Sequence, residues 1–366
     1  MIEDDGEFAA WFRLIETPGI GRTSARALLA AFGSAPAVID ASSAQRRGII
    51  GAAAAPLDSP PAELADRLAA AQAWRHAGND RHVLAIGDAA YPPLLLQTAD
   101  PPLLLYVQGQ VGVLSAPAIA IVGSRNPTPQ GADNARSFAR FLSDAGQVVV
   151  SGLAAGIDGA AHEGAMAGRA GTVAVVGTGL DRVYPARHRE LAHRIVRSGA
   201  VISEFPPGMP PLPENFPQRN RIIAGMTRGT LVVEAALQSG SLITARLATE
   251  AGREVFAVPG SIHAPQARGC HALIKQGAKL VESGADILEE LQPGSRAATP
   301  AAATLFDEPL PDPVLDALGH DPVTLDAIGA RTGWSAAELA ARLLDLELEG
   351  RVARLPGGLY QRRASV

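Results

Sequence analysis

The chain has 366 residues, 47% of them hydrophobic and only 4% aromatic, with a formal net charge of −5. That length accommodates two or three domains and a large aliphatic core, and that charge excludes a global basic field, so a polyanion must be met by a local site. A single cysteine, Cys270, excludes a disulfide framework and a cysteine metal centre; an acidic start (Glu3, Asp4, Asp5) and no apolar run of about 18 residues point to a cytoplasmic protein without signal peptide or membrane span.

Residues 1–76 read as a small all-helical domain. Within it Thr17-Pro18-Gly19-Ile20-Gly21 separates two apolar helical patterns. Such a glycine turn either caps two helices or presents its amides to a phosphate, as in a helix-hairpin-helix module. HVLAIGD (82–88) reads as a strand, and the proline-punctuated stretch 91–109 as a loop-rich connector ending in a short strand. From 118 to 291, strands are predicted at 118–122, 147–150, 172–176, 200–202, 230–234, 254–258 and 278–281, with helical patterns between them. Apolar runs with little polar alternation imply strands buried on both faces. The main domain, 77–291, is therefore assigned to the α/β class, with a Rossmann-like, doubly wound, mostly parallel sheet. Ligands of such sheets sit at the C-terminal ends of the strands.

Residues 292–310 form a linker of Pro, Ala and Ser, and 311–366 a winged helix-turn-helix domain. Its helices are expected at 313–318, after Thr324, and from Ser335, where Glu338 completes a capping box. A hairpin with Pro-Gly-Gly at its tip follows. The third helix carries Glu338, Asp345, Glu347 and Glu349 against Arg342 alone. That is the wrong sign for phosphate, so protein contact or a structural role is favoured over DNA reading. The wing's Arg351, Arg354, Arg362 and Arg363 keep DNA contact open.

Two adjacent loops carry the functional expectation. AIAIVG (118–123) runs into Ser124-Arg125-Asn126, and VVVSGLAAGIDGAAH (148–162) passes from a strand through small residues to a helix near Ile157. A strand ending in such a loop at a helix N-terminus frees backbone amides for an anion. Arg125 projects at the sheet's edge. Asp158 and His162 read as braces of the loop. Gly177-Thr178-Gly179 leads to Tyr184, Arg187 and Arg189, which line the same groove. In ENFPQRNRIIA (214–224), Phe216 either staples a helix or stacks a base beside Arg219, Asn220 and Arg221. Glu234 stands as an orienting carboxylate, a ribose ligand or a general base. No Ser–His–Asp or Cys–His set, GxxxxGK[ST] loop or GxGxxG fingerprint supports an enzyme, and nothing identifies a metal or cofactor.

The runs GSRNPTPQG, SGLAAGIDGAAHEGA, VVGTGLDRVYP, SEFPPG, FPQRNRIIAG, VVEAALQSGSLITA, VFAVPGSI and GCHALIKQGAKLV together resemble the DNA-processing protein DprA (Smf) family over roughly 82–291. The N-terminal helices resemble the sterile-alpha-motif-like or helix-hairpin-helix domain of many members, and the tail their optional winged helix. The resemblance implies a non-enzymatic role: binding single-stranded DNA during natural transformation, protecting it and loading the recombinase RecA, as a homodimer and with no cofactor. It implies DNA contacts at Gly123, Ser124, Arg125, Ser151, Gly152, Gly156, Phe216, Arg219, Asn220 and Arg221. A basic residue that some relatives carry shortly before the phenylalanine is missing here, where Pro211, Leu212 and Pro213 stand, which implies either a lower affinity or compensation by Arg187. Self-association maps to His271, Leu273, Ile274 and Leu280, and recombinase contact to Thr249 and Lys275. The alternative is a Rossmann-type nucleotide-processing enzyme, a phosphoribohydrolase. That class needs a PGGxGTxxE stretch, whereas Glu234 here precedes the glycine and PGG occurs only in the wing.

Overall fold

The computed structural model describes residues 1–291, 312–319 and 321–363; the expected linker 292–310 lies outside them. Five helices come first: α1 (Asp5–Glu16), α2 (Arg22–Phe32), α3 (Ala35–Asp40), α4 (Ser43–Ile50) and α5 (Glu63–His76). Side-chain caps at Asp4, Ser34 and Ser42 set three of their starts. The main sheet contains β1 (Arg81–Ala85), β2 (Leu104–Gly109), β3 (Ala118–Val122), β4 (Val148–Ser151), β5 (Thr172–Val176), β6 (Ala200–Ser203), β7 (Gly229–Val232), β8 (Glu254–Ala257) and β9 (Lys279–Leu280). Their order is β1-β2-β6-β5-β4-β3-β7-β8-β9. From β6 to β9 every neighbouring pair is parallel, while β1–β2 and β2–β6 are antiparallel. The doubly wound, mostly parallel architecture is thus present, with an antiparallel extension supplied by 81–109.

Helices α6 (Pro93–Leu96), α7 (Pro129–Asp144), α8 (Ile157–Met166), α9 (Arg189–Ser198), α10 (Asn215–Gly225), α11 (Ser241–Glu250), α12 (Arg268–Lys275) and α13 (Gly284–Leu291) complete the body. One sheet face is covered by α7, α8 and α13 through Phe138, Leu142, Ile157 and Ile287. The other is covered by α10, α11 and α12 through Ile222, Ile223, Ala245 and Cys270. The N-terminal helices share their core with the sheet: Phe8, Phe12 and Trp74 pack with Tyr106, Val83 and Val201. Running out from β3, the chain fills positions on one side (β4, β5, β6) and then crosses to the other (β7, β8, β9). The crevice between the ends of β3 and β7 is therefore the topological switch point.

At the C-terminus, α14 (Pro313–Leu318), α15 (Leu325–Thr332) and α16 (Ala336–Leu348) pack around Leu315, Ile328, Leu339, Leu343 and Leu346. Ser335 and Glu338 form the expected capping box. Strands β11 (Val352–Leu355) and β12 (Leu359–Arg362) make the wing, and Gly357 and Gly358 take φ of 84° and 72° at its tip, which side chains rarely adopt. A third strand, β10 (Val323–Thr324), pairs with β12 and was not expected. The wing meets the main body where the Arg363 guanidinium bonds Asp133 of α7 at 2.7 and 2.9 Å.

The sequence reading of His162 as a loop brace needs correcting. Its Nδ1 lies 2.7 Å from Thr172 Oγ1, whose hydroxyl donates to the Val149 carbonyl at 2.6 Å. The ring therefore donates from Nδ1 and leaves Nε2 unprotonated. It packs against β5, not the loop. Burial lowers its pKa from 6.5 to about 3, assisted by His188 and Arg219. The unfolded chain binds this proton more readily, so the contribution to stability is present above pH 6.5 and is lost as pH falls below it. Between pH 6.5 and pH 5 the stability of the parent is expected to fall by about 2 kcal/mol more than that of His162→Gln. Urea titrations at the two pH values check this, and parallel losses in both proteins would contradict it.

Candidate functional site

The loops after β3 and β4 lock together before any ligand arrives. Ser124 N donates to the Glu234 carbonyl at 2.7 Å, and Ile157 N to the Ser124 carbonyl at 3.1 Å. Gly123 is required by this closeness, since a Cβ there would lie 2.7 Å from Ile157 Cγ1. Gly156 takes φ 83° and has no room for a Cβ against the Ser124 carbonyl. Leu153 holds φ 57°, an uncommon conformation for a branched side chain, and its carbonyl is met by His188 Nδ1 at 2.9 Å.

Several of the loop amides expected to be free are taken by groups of the protein itself. Asp158 Oδ2 accepts from Gly152 N at 3.0 Å and Ala154 N at 3.4 Å, so its predicted bracing role holds. Asn126 N is taken by Ser124 Oγ at 3.1 Å, and Thr128 N by Glu234 Oε2 at 3.0 Å. Ser151 is fully buried, its hydroxyl donating to the Ile121 carbonyl at 2.6 Å. Asp158 is a built-in carboxylate sitting where an anion was expected. Burial pushes its carboxyl above the usual range, and Arg219, the two amides and Arg125 pull it back.

Arg219 is likewise internal. It is 4% exposed and donates to the Val175 carbonyl, and its guanidinium fills the space that a Gly152 side chain would need. Burial lowers its pKa to about 10, with Asp158 opposing the fall, so it stays charged at neutral pH. It serves as a strut between α10, β5 and the β4 loop. Arg221 faces the other way: it pairs with Glu204 and donates to the Asp100 carbonyl at 2.8 Å. Arg22 of α2 reaches both of these acids and Arg26 reaches Asp100, so this network ties the helical region to the sheet. Direct phosphate contact by Arg219 and Arg221, as read from their spacing, is therefore replaced by structural roles. Nothing local in the sequence reveals Asp100 and Glu204 as the partners of Arg221.

One cation remains available at the crevice. Arg125 is exposed, forms no ion pair among the described residues, and holds its guanidinium carbon 6.0 Å from the Phe216 ring centroid. Phe216 is half-buried and packs against Tyr184 with centroids 5.5 Å apart at 42°. Tyr184 is 48% exposed. The three side chains rim a cleft of about 700 Å³ whose floor is Gly123, Asp158 and Arg219 and whose far wall is the Ser239–Thr244 end of α11. Asn220 lines it too, whereas Arg187 is exposed on a neighbouring turn outside the lining. A cation over one ring, with a second ring packed against the first, at a strand-end crevice suits an unpaired base with its phosphate.

Glu234 does not face that cleft. It lies two residues beyond β7, which ends at Val232 and not at 234 as expected, and its carboxylate clamps Thr128, Oε1 accepting from Oγ1 at 2.6 Å. Gly131 leaves room for it. With both oxygens engaged in capping α7, Glu234 is not placed as a general base toward the cleft. The turn at 17–21 presents Pro18, Gly19 and Gly21 to solvent, with Thr17 buried. His271, Leu273 and Ile274 lie half-buried on α12, and Leu280 is 46% exposed on the edge strand β9. Thr249 and Lys275 are exposed nearby. Among the described residues no helix is long and apolar enough to cross a membrane, and no group of three or more His, Cys, Asp or Glu is arranged to hold a metal.

Comparison with known proteins shows the family. Residues 82–292 match the family model "DNA recombination-mediator protein A", and 296–358 match "DprA winged helix domain". The Protein Smf of Escherichia coli is 45% identical over 292 residues, covering 78% of each chain. The DNA processing protein DprA of Streptococcus pneumoniae is 48% identical over 208 residues, 57% of this chain and 73% of that one. Its X-ray structure superposes with a TM-score of 0.67 at 36% identity, covering 80% of this chain and 99% of that one. The DNA processing protein A of Helicobacter pylori, described for its single-stranded DNA binding mode, superposes with a TM-score of 0.53 at 29% identity, covering 58% and 95%. The chain belongs to the DNA recombination-mediator protein A family, the DprA/Smf DNA-processing proteins.

Proposed function

We propose that the protein is a non-catalytic, single-stranded DNA-binding recombination mediator, which protects incoming DNA and passes it to a RecA-type recombinase during natural transformation. The observation that carries this reading is the Arg125–Phe216–Tyr184 rim. An exposed guanidinium without an ion-pair partner among the described residues and two aromatic rings in contact line a strand-end cleft, a combination that engages an unstacked base and its phosphate. The described mode of the Helicobacter relative supports it. Gly123, Ser124 and Gly156 shape the rim, Ser151, Gly152, Arg219 and Arg221 hold its supports in place, and Arg187 reaches DNA beyond the cleft. Association as a homodimer uses Leu280 on the open sheet edge with His271, Leu273 and Ile274, and the recombinase meets Thr249 and Lys275.

Fluorescence anisotropy with random-sequence single- and double-stranded DNA tests this. A preference for the single strand is expected, and a duplex preference overturns the reading. Tyr184→Ala and Phe216→Ala are each expected to weaken single-strand binding by about 1–3 kcal/mol, the range for loss of one stacking partner. The two losses should be less than additive, because the rings support each other. Unchanged affinity in both variants places the DNA elsewhere.

A further inference from the structure

Helix α16 has two apolar faces, and the fold uses one. Leu339, Leu343 and Leu346 are buried in the C-terminal core. On a 3.6-residue turn, Ala337, Ala341, Leu344 and Leu348 fall within about 60° of arc on the opposite side. All four are exposed, Leu344 at 56% and Leu348 at 80%. Their spacing of four, three and four is that of a seam packed against another helix.

The borders of this seam carry one sign of charge. Glu338 and Asp345 flank one side and Glu347 the other, all exposed. Arg342, the only cation on the helix, is drawn away by Asp312 at 2.5 Å and Glu349 at 3.7 Å. The wing is engaged elsewhere, through Arg363 on Asp133, so α16 remains open to solvent.

We propose that α16 is a docking surface for a basic amphipathic helix of a partner protein. The partner's apolar stripe would cover Leu344 and Leu348, and its lysines or arginines would face Glu338, Asp345 and Glu347. A second copy of α16 would set acid against acid, and a DNA phosphate meets the same repulsion. A helix ordinarily placed to read a groove is here a protein-binding face.

The test uses the full chain and a short labelled helical peptide with a leucine seam and lysine flanks. The peptide is expected to bind with an affinity that falls as salt rises, and the same peptide with glutamate flanks is expected not to bind. Leu344→Ser with Leu348→Ser, which leaves the charge unchanged, should weaken binding by at least about tenfold. Asp345→Asn with Glu347→Gln should remove most of the salt dependence. Single-strand affinity should be unchanged in both double variants. Equal binding of the lysine peptide to the parent and the serine variant overturns the proposal. So does loss of self-association on sedimentation in the serine variant, which would make the occupant a second copy, or displacement of the peptide by duplex DNA.

Discussion

Replacing Arg125 with alanine is expected to weaken single-strand binding by about tenfold to a hundredfold, the range for one charge-assisted hydrogen bond. The change should be similar for every sequence, because a phosphate contact carries no base information. A single strand releases about 0.7 counterion per neutralised phosphate, so the slope of log affinity against log salt should become shallower by about that amount. Two features make Arg125 the decisive residue. It is the exposed cation at the cleft with no carboxylate partner among the described residues, and its guanidinium is already set beside the Phe216 ring. Stability should change little, since the side chain is exposed and makes no ion pair among the described residues. Titrations of parent and variant at two salt concentrations check both numbers, and identical slopes would remove Arg125 from the interface.

Arg219→Ala is expected to act on the fold. It should lower the unfolding free energy by about 1–3 kcal/mol, the cost of leaving a buried hydrogen-bonding group unsatisfied. The reason is what remains: Asp158 buried without its neighbouring cation, and the Val175 carbonyl without its donor. The β4 loop hangs on Asp158 through Gly152 N and Ala154 N, so DNA affinity should fall as a consequence. Asp158→Asn combined with Arg219→Met should recover part of the stability, because it removes both charges together. Urea unfolding of the three proteins is the measurement. A variant as stable as the parent but with a shallower salt slope would make Arg219 a phosphate ligand and not a strut.

The contrast between these arginines shows how far sequence alone reaches. Strand-ending glycines, a following helix start and an arginine at position 125 suffice to place Arg125 at a sheet edge, because those features are local and set by backbone geometry. Arg219 and Arg221 carry an equally suggestive local pattern. Their partners are Val175 and Asp158 for one, Glu204 and Asp100 for the other, and only folding brings these together. Glu234 follows the same rule: its carboxylate is engaged by Thr128, 106 residues away in sequence.

The sequence by itself determined the succession of strands and helices in the main domain, the mostly parallel sheet and the loops at its strand ends. It also determined the winged helix with its acid third helix. All of these follow from hydrophobic period, glycine placement and capping, which act over a few residues. The tertiary structure decided which polar groups remain free. Buried polar groups are mostly paired, and the fold satisfies two loop amides with Asp158 and the acids Glu204 and Asp100 with Arg221. Arg125 stands exposed at the crevice beside Phe216 with no ion pair among the described residues, and no count of basic residues along the chain identifies it.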